Sequence, residues 1–162
     1  MILLDFLLAF PLQLLLLMSM AVMLLAAGRW YVFLLADWEL QQEISSSMQR
    51  IVRDAESGSI LKAVSPEGSG GLRIIYKREN NGVLREEKVW YWVHEKDRLH
   101  KLVRNQNTAP MTGEHALAGV DITSFSCRKV KPGLLRIGLE GKSRVTGHRY
   151  GLTTAVYVPE VP

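Results

Sequence analysis

MILLDFLLAFPLQLLLLMSMAVMLLAAG, residues 1–28, carries a single charge, Asp5, and from Phe6 to Gly28 none at all. A run of about 18 or more apolar residues is what a helix needs to cross a bilayer. At about 1.5 Å per residue, Phe6 to Gly28 extends roughly 35 Å, enough for a hydrocarbon core of about 30 Å with some tilt. Asp5 is the exception within this segment. A carboxylate inside a membrane helix costs about 2.5–3.5 kcal/mol on insertion scales, which marks it as a candidate functional residue.

The flanks agree with a span. Arg29-Trp30-Tyr31 places a cation and two aromatic rings where an interfacial belt lies. Pro11 removes one helical hydrogen bond and predicts a kink. Gln13 and Ser19 are polar but tolerable in helix–helix contacts. A secretory signal has a basic start, an apolar core of about 7–15 residues and a small-residue cleavage site. Here the basic start is missing and the apolar run is longer, so a permanent anchor is the better reading; Ala26-Ala27-Gly28 keeps cleavage open as the alternative. Charge gives little orientation, since Arg29 is soon followed by Asp37, Glu39 and Glu43.

The helix continues. In DWELQQEISSSMQRIVRDAESG, from Asp37, apolar residues fall at Leu40, Ile44, Met48, Ile51 and Ala55, along one helical face. Ser57-Gly58 is the expected stop. The spacing thus predicts one helix of more than about 50 residues, apolar first and amphipathic afterwards, whose second half needs a partner surface. This divides the chain into a transmembrane part, 1–36, and a domain carried by it, 37–162, which the resemblance given below implies is extracytoplasmic.

The partner surface is legible as strands. Ile60–Val64, Leu72–Lys77, Lys88–His94, Arg98–Val103, Val120–Cys127, Leu134–Leu139 and Val145–Val158 are rich in β-branched and aromatic residues. Turns are expected at Asn80-Asn81-Gly82, Glu95-Lys96-Asp97, Lys131-Pro132-Gly133 and Glu140-Gly141-Lys142, with Gly147 and Gly151 interrupting the last strand. Consecutive strands on short turns predict an antiparallel meander, and the fold class is α+β.

Signals for chemistry are weak. The chain has 162 residues, 48% hydrophobic and 22% charged, with a net charge of +4. Its cations alternate with acids, as in Lys77-Arg78-Glu79 and Arg85-Glu86-Glu87-Lys88, which is the pattern of a solvated surface. The mild basicity would suit contact with DNA without indicating it. Cys127 is the single cysteine and excludes an internal disulfide; a small buried thiol is its expected role. His94, His100, His115 and His148 lie in separate segments with no metal-ligand spacing. Gly141-Lys142-Ser143 lacks the earlier glycine and the following helix of a phosphate-binding loop. Trp90 and Trp92 share one strand face and are read as packing, with an exposed recognition patch as the alternative. The expectation is a non-enzyme, with no catalytic residue, no metal and no cofactor.

MILLDFLLAF resembles the start of a mature type IV pilin or type II secretion pseudopilin, with Asp5 where that family carries glutamate. LQQEISSSMQRIVRDA resembles the second half of the pilin helix. GVLREEKVWYWVHEKDRLHKLVR, VDITSFSC and YGLTTAVYVP are similar to strands of the larger minor pilins, a group that includes W-type minor pilins, J-type minor pseudopilins and competence pseudopilins. The resemblance implies a pilin-like fold: a long helix packed on an antiparallel sheet. It implies a structural subunit that primes or caps a pilus, secretion pseudopilus or DNA-uptake filament. Its partners would be other major and minor pilins, inner-membrane lipid, a prepilin peptidase and an assembly platform. In the family a basic leader ending in glycine is removed and the new N-terminus methylated, which makes Met1 the processing and methylation residue. A mature-like chain, an upstream start and an unprocessed chain all stay open. Asp5 would be the assembly residue, pairing with a neighbour's N-terminal amine, because each lone charge is costly in lipid. Two further readings stand beside this one: an anchored protein with a small binding domain, and a secreted enzyme released near Gly28.

Overall fold

The long helix is α1, Ile2–Ser57, 56 residues with Pro11 inside it. It belongs to a computed structural model that describes residues 2–57, 59–64, 71–80, 83–96, 98–105, 110–112 and 119–158, with side chains masked at 2–8, 59–64, 75–80, 83–88 and 96. The chain divides into two units, Met1–Leu35 and Ala36–Pro162, and α1 contributes to both.

In the first unit α1 is long and apolar enough to cross a membrane. Its large apolar side chains, from Phe10 through Leu17 to Leu34, are uncovered. The Ser19 hydroxyl donates to the Leu16 carbonyl at 2.8 Å, which satisfies a polar group inside an apolar segment.

In the second unit the helix carries Ala36, Leu40, Ile44, Met48, Ile51 and Ala55 on a buried stripe. Full burial of a Leu or Ile side chain is worth about 1.5–3 kcal/mol, so this stripe is what holds the helix to the strands. Those strands are β1 (Ser59–Val64), β2 (Gly71–Asn80), β3 (Val83–Lys96), β4 (Leu99–Arg104), β5 (Val120–Lys131), β6 (Leu134–Ser143) and β7 (Arg149–Tyr157). All neighbours are antiparallel, as expected, but they form two sheets: β1-β2-β3-β4 and β5-β6-β7. The first sheet contributes Leu72, Ile74, Val89, Tyr91 and Leu102 to the core; the second contributes Ile122, Phe125, Leu135, Ile137 and Leu139, among others.

A bulge keeps β5 in phase with the core. Strict alternation from Val120 and Ile122 would turn Ser124 and Ser126 inward and Phe125 outward. The register shift between Ile122 and Ser124 inserts one residue, and Phe125 and Cys127 face the core instead.

Four local expectations are corrected. Glu140-Gly141-Lys142 is not a turn but belongs to the last part of β6, where Gly141 is buried. The turn after β6 is at residues 144–146, with Gly147 at φ +74°, so β7 begins at Arg149 and not at Val145. The strand before the β3–β4 turn runs through Lys96, and Arg98 takes the left-handed conformation at φ 60°. Trp90 and Trp92 are not core residues. The Asn81-Gly82 turn signal lies outside the described residues, whereas the Lys131-Pro132-Gly133 turn is present, with Gly133 at φ +74°.

Candidate functional site

The sequence-predicted site residues lie at the start of α1. Met1 lies outside the described residues, as does the side chain of Asp5, whose backbone belongs to α1. Farther along, Val22, Leu25, Ala26, Arg29, Trp30 and Phe33 line a shallow groove. Their spacing of three and four residues puts them on one helical face, an apolar stripe with a cation near its end. Arg29, Trp30 and Tyr31 are exposed, as an interfacial belt requires.

Two polar clusters within the second unit fasten the helix to the strands. Near its start, Asp37 accepts from the Thr146 hydroxyl at 2.6 Å and meets His148 Nδ1 at 2.8 Å. The hydrogen bond from Thr146, and after it the one from His148, holds the Asp37 carboxyl below its ordinary range. At the helix end, the Tyr91 hydroxyl donates to Asp54 Oδ2. Arg104 Nε donates to the same carboxylate oxygen at 3.1 Å and to Tyr91 Oη at 3.2 Å, while Arg104 Nη2 lies 3.1 Å from Asp54 Oδ2. Burial, and next the hydrogen bond to Asp54, pushes the Tyr91 phenol upward, so it remains a neutral donor. A third contact ties β4 to β5: the His100 amide donates to Asp121 Oδ1 at 2.7 Å, and its ring Nδ1 lies 3.2 Å from the same oxygen.

The opposite face of the first sheet carries an aromatic row. Trp90 and Trp92 have ring centroids 5.9 Å apart, and Trp92 and His94 4.9 Å apart. Arg73 lies over the Trp90 ring at 5.1 Å, a cation–π contact. Asn105 fixes the row from the end of β4. It receives the Trp90 amide on Oδ1 at 2.9 Å, donates its own amide to the Trp90 carbonyl at 2.7 Å, and accepts Trp92 Nε1 at 3.4 Å. Packing in the core is therefore the wrong reading for this pair; Tyr91, between them in sequence, is the core residue.

Nothing here assembles into catalytic machinery among the described residues. Cys127 is buried, and burial pushes its thiol up to about 12, the opposite of an activated nucleophile. His94, His100 and His148 belong to three different clusters, and His115 lies outside the described residues. No group of three or more His, Cys, Asp or Glu side chains able to hold a metal is found among the described residues. Gly141-Lys142-Ser143 is strand, not loop. Sequence reasoning missed both helix clusters, because their members stand 37, 50, 109 and 111 residues apart.

No protein-family model matches this chain, and no curated protein or solved structure is significantly similar to it.

Proposed function

We propose that this chain is a minor pilin or pseudopilin, a structural subunit of a pilus, secretion pseudopilus or DNA-uptake filament, anchored by α1 in the bacterial inner membrane with its strand domain outside the cytoplasm. The observation that carries the reading is a single 56-residue helix that is apolar and, from Phe10 to Leu34, uncovered in its first half, and whose second half buries one stripe against antiparallel meanders. A soluble protein has no use for so large an uncovered apolar surface, whereas lipid and neighbouring helices both suit it. In this reading Asp5 pairs with a neighbouring subunit's N-terminal amine and sets the stagger between helices, and Met1 is the processed and methylated end. Other pilins, the prepilin peptidase and the assembly platform are the partners.

The test is Asp5→Ala in the native host. Loss of incorporation into the filament fraction, with the protein still present in the membrane, supports the reading; unchanged incorporation and unchanged co-purification with partner pilins refutes it.

The Trp90–Trp92–His94 row, on the face of the first sheet away from the core, favours one second reading, a membrane-anchored protein whose outer domain binds a ligand. In that case Asp5 reaches the nearby interface and serves no assembly role. Replacing Trp90 and Trp92 would then abolish function while Asp5→Ala would not.

A further inference from the structure

The face of the second sheet turned away from the core carries charges that folding alone does not explain. Arg128 of β5 stands directly opposite Arg136 of β6, and both side chains are exposed. Like charges set opposite each other on neighbouring strands are destabilising. Neither guanidinium meets an acid among the described residues. Glu140, on the same face, lies four residues along β6 from Arg136, about 13 Å, and its carboxylate is 4.0 Å from Arg149. A third cation joins the pair. Strict alternation from Arg128 would turn Lys131 to the core face, but the register shift between Lys129 and Lys131 sets it opposite Leu134, on the face of Arg136. A repulsion built into a sheet and left without a counter-charge marks a surface where an anion binds.

Polar and aromatic groups flank the cations. One strand step from the arginine pair, Ser126, Gly138 and Thr153 lie side by side across β5, β6 and β7. A Cβ on Gly138 would stand 2.7 Å from Ser126 Oγ and 3.5 Å from Thr153 Oγ1, so two exposed hydroxyls close over bare backbone. One step the other way, Tyr157 completes the row of Lys131 and Leu134. Its ring rests against Gly133, where a Cβ would stand 2.9 Å from Tyr157 Cε2, and the residue is 70% exposed.

We infer that this end of the second sheet binds single-stranded nucleic acid: Arg128, Arg136 and Lys131 hold phosphates, and Tyr157 stacks on a base. Guanidinium forks and hydroxyls both donate to phosphate oxygens, which gives Ser126 and Thr153 their part beside the arginines. A cationic strip with an exposed ring at its margin suits an unpaired strand, whose bases are free to stack on a side chain. An acidic polypeptide would answer the cations but offers Tyr157 no base, and a duplex keeps its bases stacked on one another. The whole surface lies within the second unit, so binding there stands whether or not the chain enters a filament.

The test is fluorescence anisotropy of a labelled oligothymidylate of about 12 nucleotides, titrated with the full chain in neutral detergent micelles. Neutralising three phosphates gives a plot of log K against log salt a slope of about −2, and R128S/R136S should reduce it to about −0.7. The double variant should bind at least about tenfold more weakly at low salt. Its unfolding midpoint should not fall, because the substitution removes a repulsion. Y157A should weaken binding about fivefold or more, whereas Y157F, which keeps the ring, should not. Unchanged affinity in R128S/R136S overturns the inference, and so does absence of binding by the wild-type chain. Polyglutamate competing as well as unlabelled oligothymidylate, or tighter binding of a duplex of the same length, overturns it too, because the partner is then of another class.

Discussion

Gly141 of β6 lies directly beneath Ile44 of α1: a Cβ on the glycine would stand 2.8 Å from Ile44 Cδ1 and 3.3 Å from Leu40 Cδ1. Glycine inside a strand commonly marks a close approach of another element, and here that element is the helix. Gly141→Val should therefore lower stability by about 1–3 kcal/mol through overpacking. Ile44→Val, which removes the offending methyl, should recover part of the loss in the double variant. Urea midpoints of the four chains check this, and additive effects would contradict it.

The Asp54, Tyr91 and Arg104 cluster should be unequally sensitive to its members. Tyr91→Phe leaves the Asp54–Arg104 ion pair standing and should cost about 1 kcal/mol. Asp54→Ala leaves the Tyr91 hydroxyl and the Arg104 guanidinium without their shared acceptor, and should cost about 2–3 kcal/mol. The order of the two unfolding midpoints is the check.

The Asp37 clasp should respond to acid. Its carboxyl titrates below the ordinary value of 3.8 in the folded chain, because Thr146 and then His148 hydrogen-bond the ionised form. Its contribution to stability is therefore complete above that ordinary value and falls away as pH drops through the lower folded one. Unfolding midpoints between about pH 4 and pH 2 should fall more steeply for the wild-type chain than for Asp37→Asn. Identical acid limbs would show that the clasp adds nothing.

The helix was the most readable part of the chain, because Leu40, Ile44, Met48, Ile51 and Ala55 repeat at one period and that whole stripe is buried. Strand positions were readable too. Strand faces were not always so. KVWYWVH places aromatic residues on both alternating faces, so periodicity could not tell whether Tyr91 or the flanking tryptophans turn inward; the helix settles it by offering Asp54 to the Tyr91 hydroxyl. Gly141 was misread because a glycine between Glu140 and Lys142 has the composition of a turn, and only the helix above it explains the missing side chain. The division into two sheets left no local mark. Among the residues read as functional, Asp5 was singled out by charge against an apolar background, whereas Asp37 and Asp54 sat in a mixed polar sequence and gave no contrast.

The placing of the aromatic residues has a practical side. Of the four tryptophans, Trp30, Trp38 and Trp90 are 68%, 59% and 38% exposed, and Trp92 is half-buried. The ring at the centre of the fold is the phenol of Tyr91. Indole fluorescence from this protein accordingly reports on the helix surface and the outside of the first sheet, where the fluorophores already meet their surroundings in the native state. Melting of the interior would reach that signal only through Trp90 and Trp92, whose contacts with each other, Arg73, His94 and Asn105 depend on the first sheet, against a background from Trp30 and Trp38 on the helix surface.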